Sequence, residues 1–250
     1  MQAQGSTKVH AETGREMQKI NILGMSLTDY SFKEAIGITD RFLGNGSLNT
    51  ILFVSAKILV GAGSAAKKQA WIEAADLIVW SDAEIVRQAG VMAKNRIHEV
   101  ENQEYFKEIL RRFGRGGNPL YLLADSEEEL EKLGHDLKSF REDLNIAGAG
   151  IVGGMQAEWE NEANRINELA PVAIISRMQF EKQAEIVESM KQFLNAEIWL
   201  ALDNEMIPDS RRVPLLRKLL SKWDHHVFQK LLSESRRMNR QDEKSDRTSE

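Results

Sequence analysis

Apolar residues recur along the chain in short runs that alternate with segments of helical periodicity. Continuous runs of this kind are typical of strands buried on both faces of a sheet. Strands are predicted at 20–24, 50–60, 77–80, 119–124, 145–148, 172–176 and 197–202. Because helical segments separate them, the pattern predicts an α/β fold with a parallel sheet covered by helices on both faces. Ligands of such sheets bind beyond the carboxyl ends of the strands, so the candidate functional residues are those that follow each run.

Two helices have clear start signals. Ser31 is followed three residues later by Glu34, and Ser126 by Glu129. Both pairs match the capping box, in which the serine hydroxyl and the glutamate carboxylate satisfy free backbone N–H groups of the first helical turn. Glycine at 44 or 46 should end the first of these helices. Further helices are predicted at 64–74, 102–113, 156–169 and 181–194.

The segment 214–237 differs from the rest because no strand follows it. Its leucines fall on one helical stripe, and residues 211–240 carry nine Lys and Arg against only Asp224 and Glu234. Such a basic amphipathic helix can pack on its own domain, form a homo-oligomer, or lie on an anionic membrane surface. Aromatic residues for stacking on bases are sparse, so a nucleic-acid partner is not expected.

Composition and termini complete the domain picture. The chain has 250 residues, of which 42% are hydrophobic and 28% charged, which is ordinary for a globular protein. It has no cysteine, no apolar run long enough to cross a bilayer and no secretory signal at its start, a combination that favours the cytoplasm. We predict a disordered arm (1–18), an α/β domain (19–210), a basic amphipathic helical appendage (211–240) and a disordered tail (241–250).

Residues 148–153, Gly-Ala-Gly-Ile-Val-Gly, match the G-x-G-x-x-G pattern of dinucleotide sites. In those sites the glycines let backbone N–H groups approach a pyrophosphate at a helix N-terminus. Here the predicted strand before the motif is short, and the next strand ends in Ser176 and Arg177, where an acid would bind the NAD ribose. A flexible connection is the favoured interpretation, and a dinucleotide-binding oxidoreductase is a remote alternative.

Other familiar site patterns are missing from the sequence. The five histidines are scattered and form no HExxH pair, and no Walker or G-x-S-x-G sequence occurs. His98 lies beside Arg96, Glu99 and Glu101, which could form a polar pocket but suit a surface loop better. The sequence therefore predicts no metal and no cofactor.

The order of segments resembles the WecG/TagA/CpsF glycosyltransferases from about Ile20 to Arg237. The similar stretches are INILG with SFKEAI, ILFVSAK for the family's T-x-N-A-E, AADLIVWSD for its strand leading to D-G, NRIHEVEN for R-V-T-G-x-D, EKQAEI for P-K-Q-E-x-W, RRVP for K-R-A-P and LLSESRR for L-L-x-E-P-R-R. The resemblance implies a Rossmann-like domain whose C-terminal appendage helps it to meet the membrane.

The resemblance also implies an activity. These enzymes transfer N-acetylmannosamine or a related sugar from a UDP-sugar to a lipid-linked acceptor in cell-surface polysaccharide synthesis. The protein would then be cytoplasmic or peripheral at the inner face of the cell membrane. Carried onto this chain, the catalytic base is Asp82, and the substrate-binding residues are Ser55, Lys57, Ser81, Arg96, Lys182 and Gln183.

Several positions depart from the family pattern. The family's aspartate aligns with Ser81, so Asp82 is one residue late and is followed by Ala83 instead of glycine. Lys57 stands where the family has glutamate, and 177–180 replaces a glycine-rich turn. These changes give an alternative, a catalytically impaired homologue that acts as a binding or regulatory partner in the same pathway. Asp82 would then be only the N-cap of a helix that starts at Ala83.

Overall fold

The computed structural model describes residues 19–63, 65–80, 102–153 and 156–203. In these ranges the strands are β1 (Lys19–Ile22), β2 (Met25–Thr28), β3 (Asn49–Val54), β4 (Leu77–Trp80), β5 (Leu120–Ala124), β6 (Ile146–Ile151), β7 (Ala173–Arg177) and β8 (Ile198–Leu202). The helices are α1 (Phe32–Phe42), α2 (Ala56–Ala62), α3 (Ala66–Ala74), α4 (Asn102–Gly116), α5 (Glu127–Phe140), α6 (Gln156–Leu169) and α7 (Phe180–Met190), with a 3₁₀ turn at Lys191–Phe193.

Strands β3 to β8 form a six-stranded parallel sheet in the order β4-β3-β8-β7-β5-β6. Helices cover both of its faces, so the predicted α/β fold is confirmed. The strands end level with one another: Val54 pairs with Trp80, and Arg177 pairs with both Ala124 and Leu202. All six carboxyl ends therefore lie along one edge, as a parallel sheet requires.

Each face of the sheet has its own hydrophobic core. On one face, which we call the hairpin face, β1, β2, α2, α3, α6 and α7 pack on the sheet around the buried ring of Trp199. On the other face α1, α4 and α5 pack around Phe53. The leucines of α5 that face the sheet, Leu133 and Leu137, are fully buried. From Ile51 to Val54, alternate residues of β3 contribute to opposite cores, which explains why this part of the strand is apolar throughout.

The predicted strand at 20–24 is in fact half of a hairpin, and β2 was not predicted. β1 and β2 pair antiparallel in a sheet of their own. Leu23 and Gly24 connect them with positive φ angles of 52° and 85°, as the tight two-residue hairpin turn requires. Four side chains of the hairpin are buried against the sheet: Ile20, Ile22, Met25 and Leu27. The hairpin therefore covers the parallel sheet and does not extend it.

The predicted strand at 50–60 is wrong beyond Val54. The strand stops there, and Ser55 begins α2 by accepting a hydrogen bond from the Ile58 N–H at 3.3 Å. On α2, Ile58 and Leu59 are buried while Lys57 is exposed. A short apolar run has no periodicity that separates a buried strand from a buried helix, so a strand and a helix were merged.

Both predicted helix caps are confirmed. Ser31 Oγ accepts from the Glu34 N–H at 3.3 Å, and Glu34 Oε2 accepts from the Ser31 N–H at 2.8 Å. Ser126 Oγ accepts from the Glu129 N–H at 3.3 Å. At the other ends, α1 stops at Phe42, and α4 continues to Gly116, three residues beyond the predicted end.

The described ranges contain no helix that is both long and apolar enough to cross a membrane. The predicted arm (1–18), the appendage (211–240) and the tail (241–250) lie outside these ranges.

Two buried threonine hydroxyls differ in their hydrogen bonding. Thr39 Oγ1 donates to the Ala35 carbonyl at 2.9 Å and lies 2.6 Å from the Tyr105 hydroxyl, which then must be the donor between them. Burial raises the pKa of Tyr105 above its ordinary value, so that hydroxyl keeps its proton. Thr50 Oγ1 is equally buried but has no hydrogen-bond partner within the described part of the chain.

We expect Thr50→Val to stabilise the protein by about 1 kcal/mol, because valine has the same shape and removes a buried unpaired hydroxyl. Thr39→Val should destabilise it by about 1 to 2 kcal/mol, because it leaves the Tyr105 hydroxyl without its acceptor. Urea denaturation of the two variants beside the unmodified protein measures both free energies. An equal loss of stability in the two variants would contradict this account.

Candidate active site

The carboxyl edge of the sheet brings two helix N-termini together. α2 follows β3 and α7 follows β7, and β8 lies between these two strands in the sheet. Both helices pack on the hairpin face. Their first turns therefore lie on the same side of the sheet edge, one on either side of the end of β8. Positive ends of helix dipoles favour an anionic ligand at such a place.

The α2 side of this edge carries Ser55 and Lys57, two of the predicted substrate-binding residues. Ser55 is half-buried and its hydroxyl caps α2, whereas Lys57 is exposed in the first turn. The Lys68 ammonium, which donates a hydrogen bond to Glu181 at 2.5 Å, lowers the pKa of that carboxyl below its ordinary value, and Lys57 acts in the same direction.

The α7 side carries the predicted pair Lys182 and Gln183, whose side chains differ in burial. Lys182 is half-buried, while Gln183 is only 1% exposed. The N-cap residue of α7 is Gln179, whose side chain makes no capping hydrogen bond within the described residues. The start of α7 is thus not capped by its N-cap side chain.

Gln183 belongs to a polar network inside the hairpin-face core. Trp199 Nε1 donates to Ser176 Oγ at 2.5 Å, and Ser176 Oγ donates to Gln183 Oε1 at 2.7 Å. Since an indole N–H can only donate, the serine hydroxyl accepts from it and directs its own hydrogen to the amide oxygen. This arrangement ties β8, β7 and α7 together. It leaves only the amide nitrogen of Gln183 for the predicted contact with substrate.

Arg177 is the last residue of β7. Its side chain is 5% exposed and lies against α5, with Nη1 2.7 Å from Asp136 Oδ2 and Nε 3.1 Å from Glu129 Oε2. Removal of this guanidinium would leave the two carboxylates without their counter-charge at a largely buried place. Arg177 is therefore directed away from the hairpin face and the lysines there.

Asp203 was not among the predicted site residues. It follows β8, in the centre of the sheet edge, and is half-buried. The register of β8 with β3 places it beside the Val54–Ser55 strand end. The sequence does contain a signal for it. Asp203 comes directly after the apolar run 197–202, and residues that follow such runs are the candidates for ligand binding.

Asp82, Ser81 and Arg96 lie outside the described residues, as does His98. β4 is described as far as Trp80, the residue before Ser81, and it ends at the same edge as β3. The structure thus places the strand that leads to Asp82 next to the strand that leads to Ser55.

The glycine motif at 148–153 is not a flexible connection, and this expectation was wrong. Gly148 and Gly150 lie within β6 and face α6. A Cβ atom on Gly148 would lie 2.6 Å from the buried ring of Tyr121, and one on Gly150 would overlap the Glu162 carboxylate, which accepts a hydrogen bond from the Tyr121 hydroxyl. These glycines allow close packing of a helix on a strand. They do not form the turn after a strand that a dinucleotide site requires.

Metal ligands are not grouped in the part of the chain that the structure describes. No three His, Asp or Glu side chains there lie close enough together to hold an ion.

The model of the glycosyl transferase WecG/TagA/CpsF family matches residues 20–241. Against the curated proteins, no significant match is found. Because the family model spans most of the 250 residues, the chain belongs to the WecG/TagA/CpsF glycosyltransferase family.

Proposed function

We propose that this member of the WecG/TagA/CpsF family transfers N-acetylmannosamine or a related sugar from a UDP-sugar to a lipid-linked acceptor in the synthesis of a cell-surface polysaccharide. The observation that carries the proposal is that the first turns of α2 and α7 lie at the carboxyl edge of the sheet, one on either side of the end of β8. Lys57 and Lys182, assigned from separate stretches of sequence, both lie in the first turns of these helices.

The charges at this edge suit a diphosphate. Lys57, Lys68 and Lys182 are three cations, and Glu181 and Asp203 are two carboxylates, so these five groups sum to a charge of +1. The N-terminus of α7 adds partial positive charge from its backbone N–H groups. Together they would bind the diphosphate of a UDP-sugar and stabilise the negative charge that develops on it as the sugar leaves.

In the proposed mechanism Asp82 removes the proton from the acceptor hydroxyl. The hydroxyl oxygen then attacks the anomeric carbon of the donor, the bond between that carbon and the diphosphate breaks, and UDP leaves. Arg96 would assist Lys57 and Lys182 in holding the nucleotide, while Ser55 and Ser81 would contact substrate at the ends of β3 and β4. Gln183 would contribute its amide nitrogen.

A second candidate is a catalytically impaired homologue that binds a partner of the same pathway. The observation that favours it is Arg177, which stands in place of a glycine-rich turn and is locked to Asp136 and Glu129. This protein would bind a nucleotide weakly or not at all and would not turn over. The first two experiments below separate the two candidates.

Nucleotide binding tests the proposed anion site. Isothermal titration with UDP and UDP-sugars should show binding to the unmodified protein, and Lys57→Gln or Lys182→Gln should weaken it about tenfold, because each removes a charge-assisted contact with the diphosphate. Lys138→Gln, on the exposed surface of α5, is the matched control and should bind normally. Absence of heat with every nucleotide would refute the transferase proposal.

Turnover tests the assignment of the base. Asp82→Asn should bind UDP within about twofold of the unmodified protein but transfer sugar at least about a hundredfold more slowly, since general-base catalysis contributes about that much. Asp203→Asn is the rival variant, because its carboxylate lies at the centre of the same edge. If only Asp203→Asn abolishes transfer, the base is Asp203 and the assignment of Asp82 is wrong.

The basic segment 211–240 is assigned a membrane role, which would place the protein at the inner face of the cell membrane. Its surplus of Lys and Arg would contact anionic headgroups while its leucines enter the interface. The full chain should sediment with anionic liposomes at low salt and not with neutral ones. Deletion of 211–250, or Arg217→Glu with Lys218→Glu in the full chain, should release it. Unchanged sedimentation of both variants would refute this role.

A further inference from the structure

An apolar groove of about 600 Å³ runs between α3 and α7 on the hairpin face. Of the fourteen residues that line it, five are alanines and six are charged, and the ring of Trp71 and the side chain of Val187 provide its larger apolar surfaces. The alanines that line it are Ala65, Ala70, Ala74, Ala75 and Ala184. A volume of this size is typical of sites for small molecules.

The groove begins at the proposed active site. Lys68 and Glu181, which pair at the carboxyl edge of the sheet, both line its first part. Trp71 lies next to them and packs edge-to-face on Phe180, the first residue of α7, with ring centroids 4.8 Å apart. The other end reaches Thr50 near the amino edge of the sheet. The groove therefore leads away from the candidate site along the whole depth of the sheet.

The groove is elongated. α3, which forms one of its sides, has nine residues and is therefore about 13 Å long at 1.5 Å per residue. An apolar hydrocarbon chain can lie lengthwise in a space of this length and volume. Because the groove opens beside the proposed active site, a ligand that lies in it has one end at the carboxyl edge of the sheet.

Ion pairs join the two sides of the groove at its rim. Lys68 pairs with Glu181 at 2.5 Å and Lys67 approaches Glu188 at 4.0 Å, both between α3 and α7. At the far end Lys191 pairs with Asp76 at 3.1 Å. The charged groups thus lie at the surface of the groove, whereas the alanines and Trp71 form its apolar lining.

We propose that this groove binds the aliphatic chain of the lipid-linked acceptor, with the acceptor's sugar at the carboxyl edge of the sheet. The inference rests on the proposed function, since it assigns the lipid part of that substrate to a place beside the donor site. Binding of a hydrocarbon chain would remove the apolar lining of the groove from water, which is favourable, while the charged side chains at the rim would stay hydrated. The groove thereby fixes the direction from which the acceptor hydroxyl reaches the donor.

The test uses farnesyl phosphate as the probe and inorganic phosphate as the control without a chain. Titration calorimetry of the full chain should show binding of farnesyl phosphate only. Ala70→Phe and Ala74→Phe, which place a ring in the groove, should each weaken that binding at least about tenfold. Ala66→Phe is the matched control, because Ala66 is exposed on the same helix outside the groove, and it should bind farnesyl phosphate normally. Circular dichroism checks that each variant is folded.

UDP binding, measured on the same four proteins, separates failure of this inference from failure of the proposed function. If UDP binds throughout and the groove variants bind farnesyl phosphate as the unmodified protein does, the inference is wrong. It is also wrong if the groove variants instead change the sedimentation coefficient, since a second copy of the chain would then occupy the groove. If UDP fails to bind any of the proteins, the proposed function fails, and the contrast between Ala70→Phe and Ala66→Phe still decides whether the groove binds the chain.

Discussion

The uniform direction of the six strands is the constraint on which the rest of this structure depends. Because every strand is parallel, each connection has to return across a face of the sheet, and every strand ends at the same edge. The strands β3, β8 and β7 are buried on both faces, so the polar side chains within them, such as Thr50 and Ser176, are buried, and the exposed polar side chains come after the strands end. The proposed donor site follows from this geometry, because the first turns of α2 and α7 flank the end of β8.

The same constraint creates the groove beside that site. α3 and α7 both return towards the amino edge on the hairpin face, and alanines on their facing sides leave a space between them. Behind α7, the hydrogen bonds from Trp199 to Ser176 and from Ser176 to Gln183 hold this helix to the two strands beneath it. Since these polar groups satisfy one another, they can be buried without the cost of lost hydrogen bonds with water. These bonds fix the position of α7, which forms one side of both the groove and the proposed anion site.

Local signals predicted the parts of the fold that local interactions determine. The caps at Ser31 and Ser126 depend on residues three positions away and were read correctly, as was the alternation of strands and helices. The order of the strands depends on pairing between distant segments, and no local pattern contains it. Gly148 likewise depends on Tyr121, which belongs to another strand. The burial of Gln183 likewise depends on Ser176 and Trp199, which belong to strands β7 and β8. Gln183, which the sequence predicted to bind substrate, is therefore also part of the core.

The departures from the family pattern act on different halves of the site. Arg177 adds bulk and charge where glycines are usual, but its guanidinium lies on α5 between Asp136 and Glu129, on the face opposite α2 and α7. Lys57 places a cation in the first turn of α2, and in the proposed donor site this charge would strengthen the attraction for a diphosphate. In the proposed mechanism the diphosphate is held by cations, whereas the proton is removed by a carboxylate, and the carboxylate positions are among those that depart from the family pattern. Donor binding and sugar transfer would therefore depend on different residues, so that retention of the first would not imply the second.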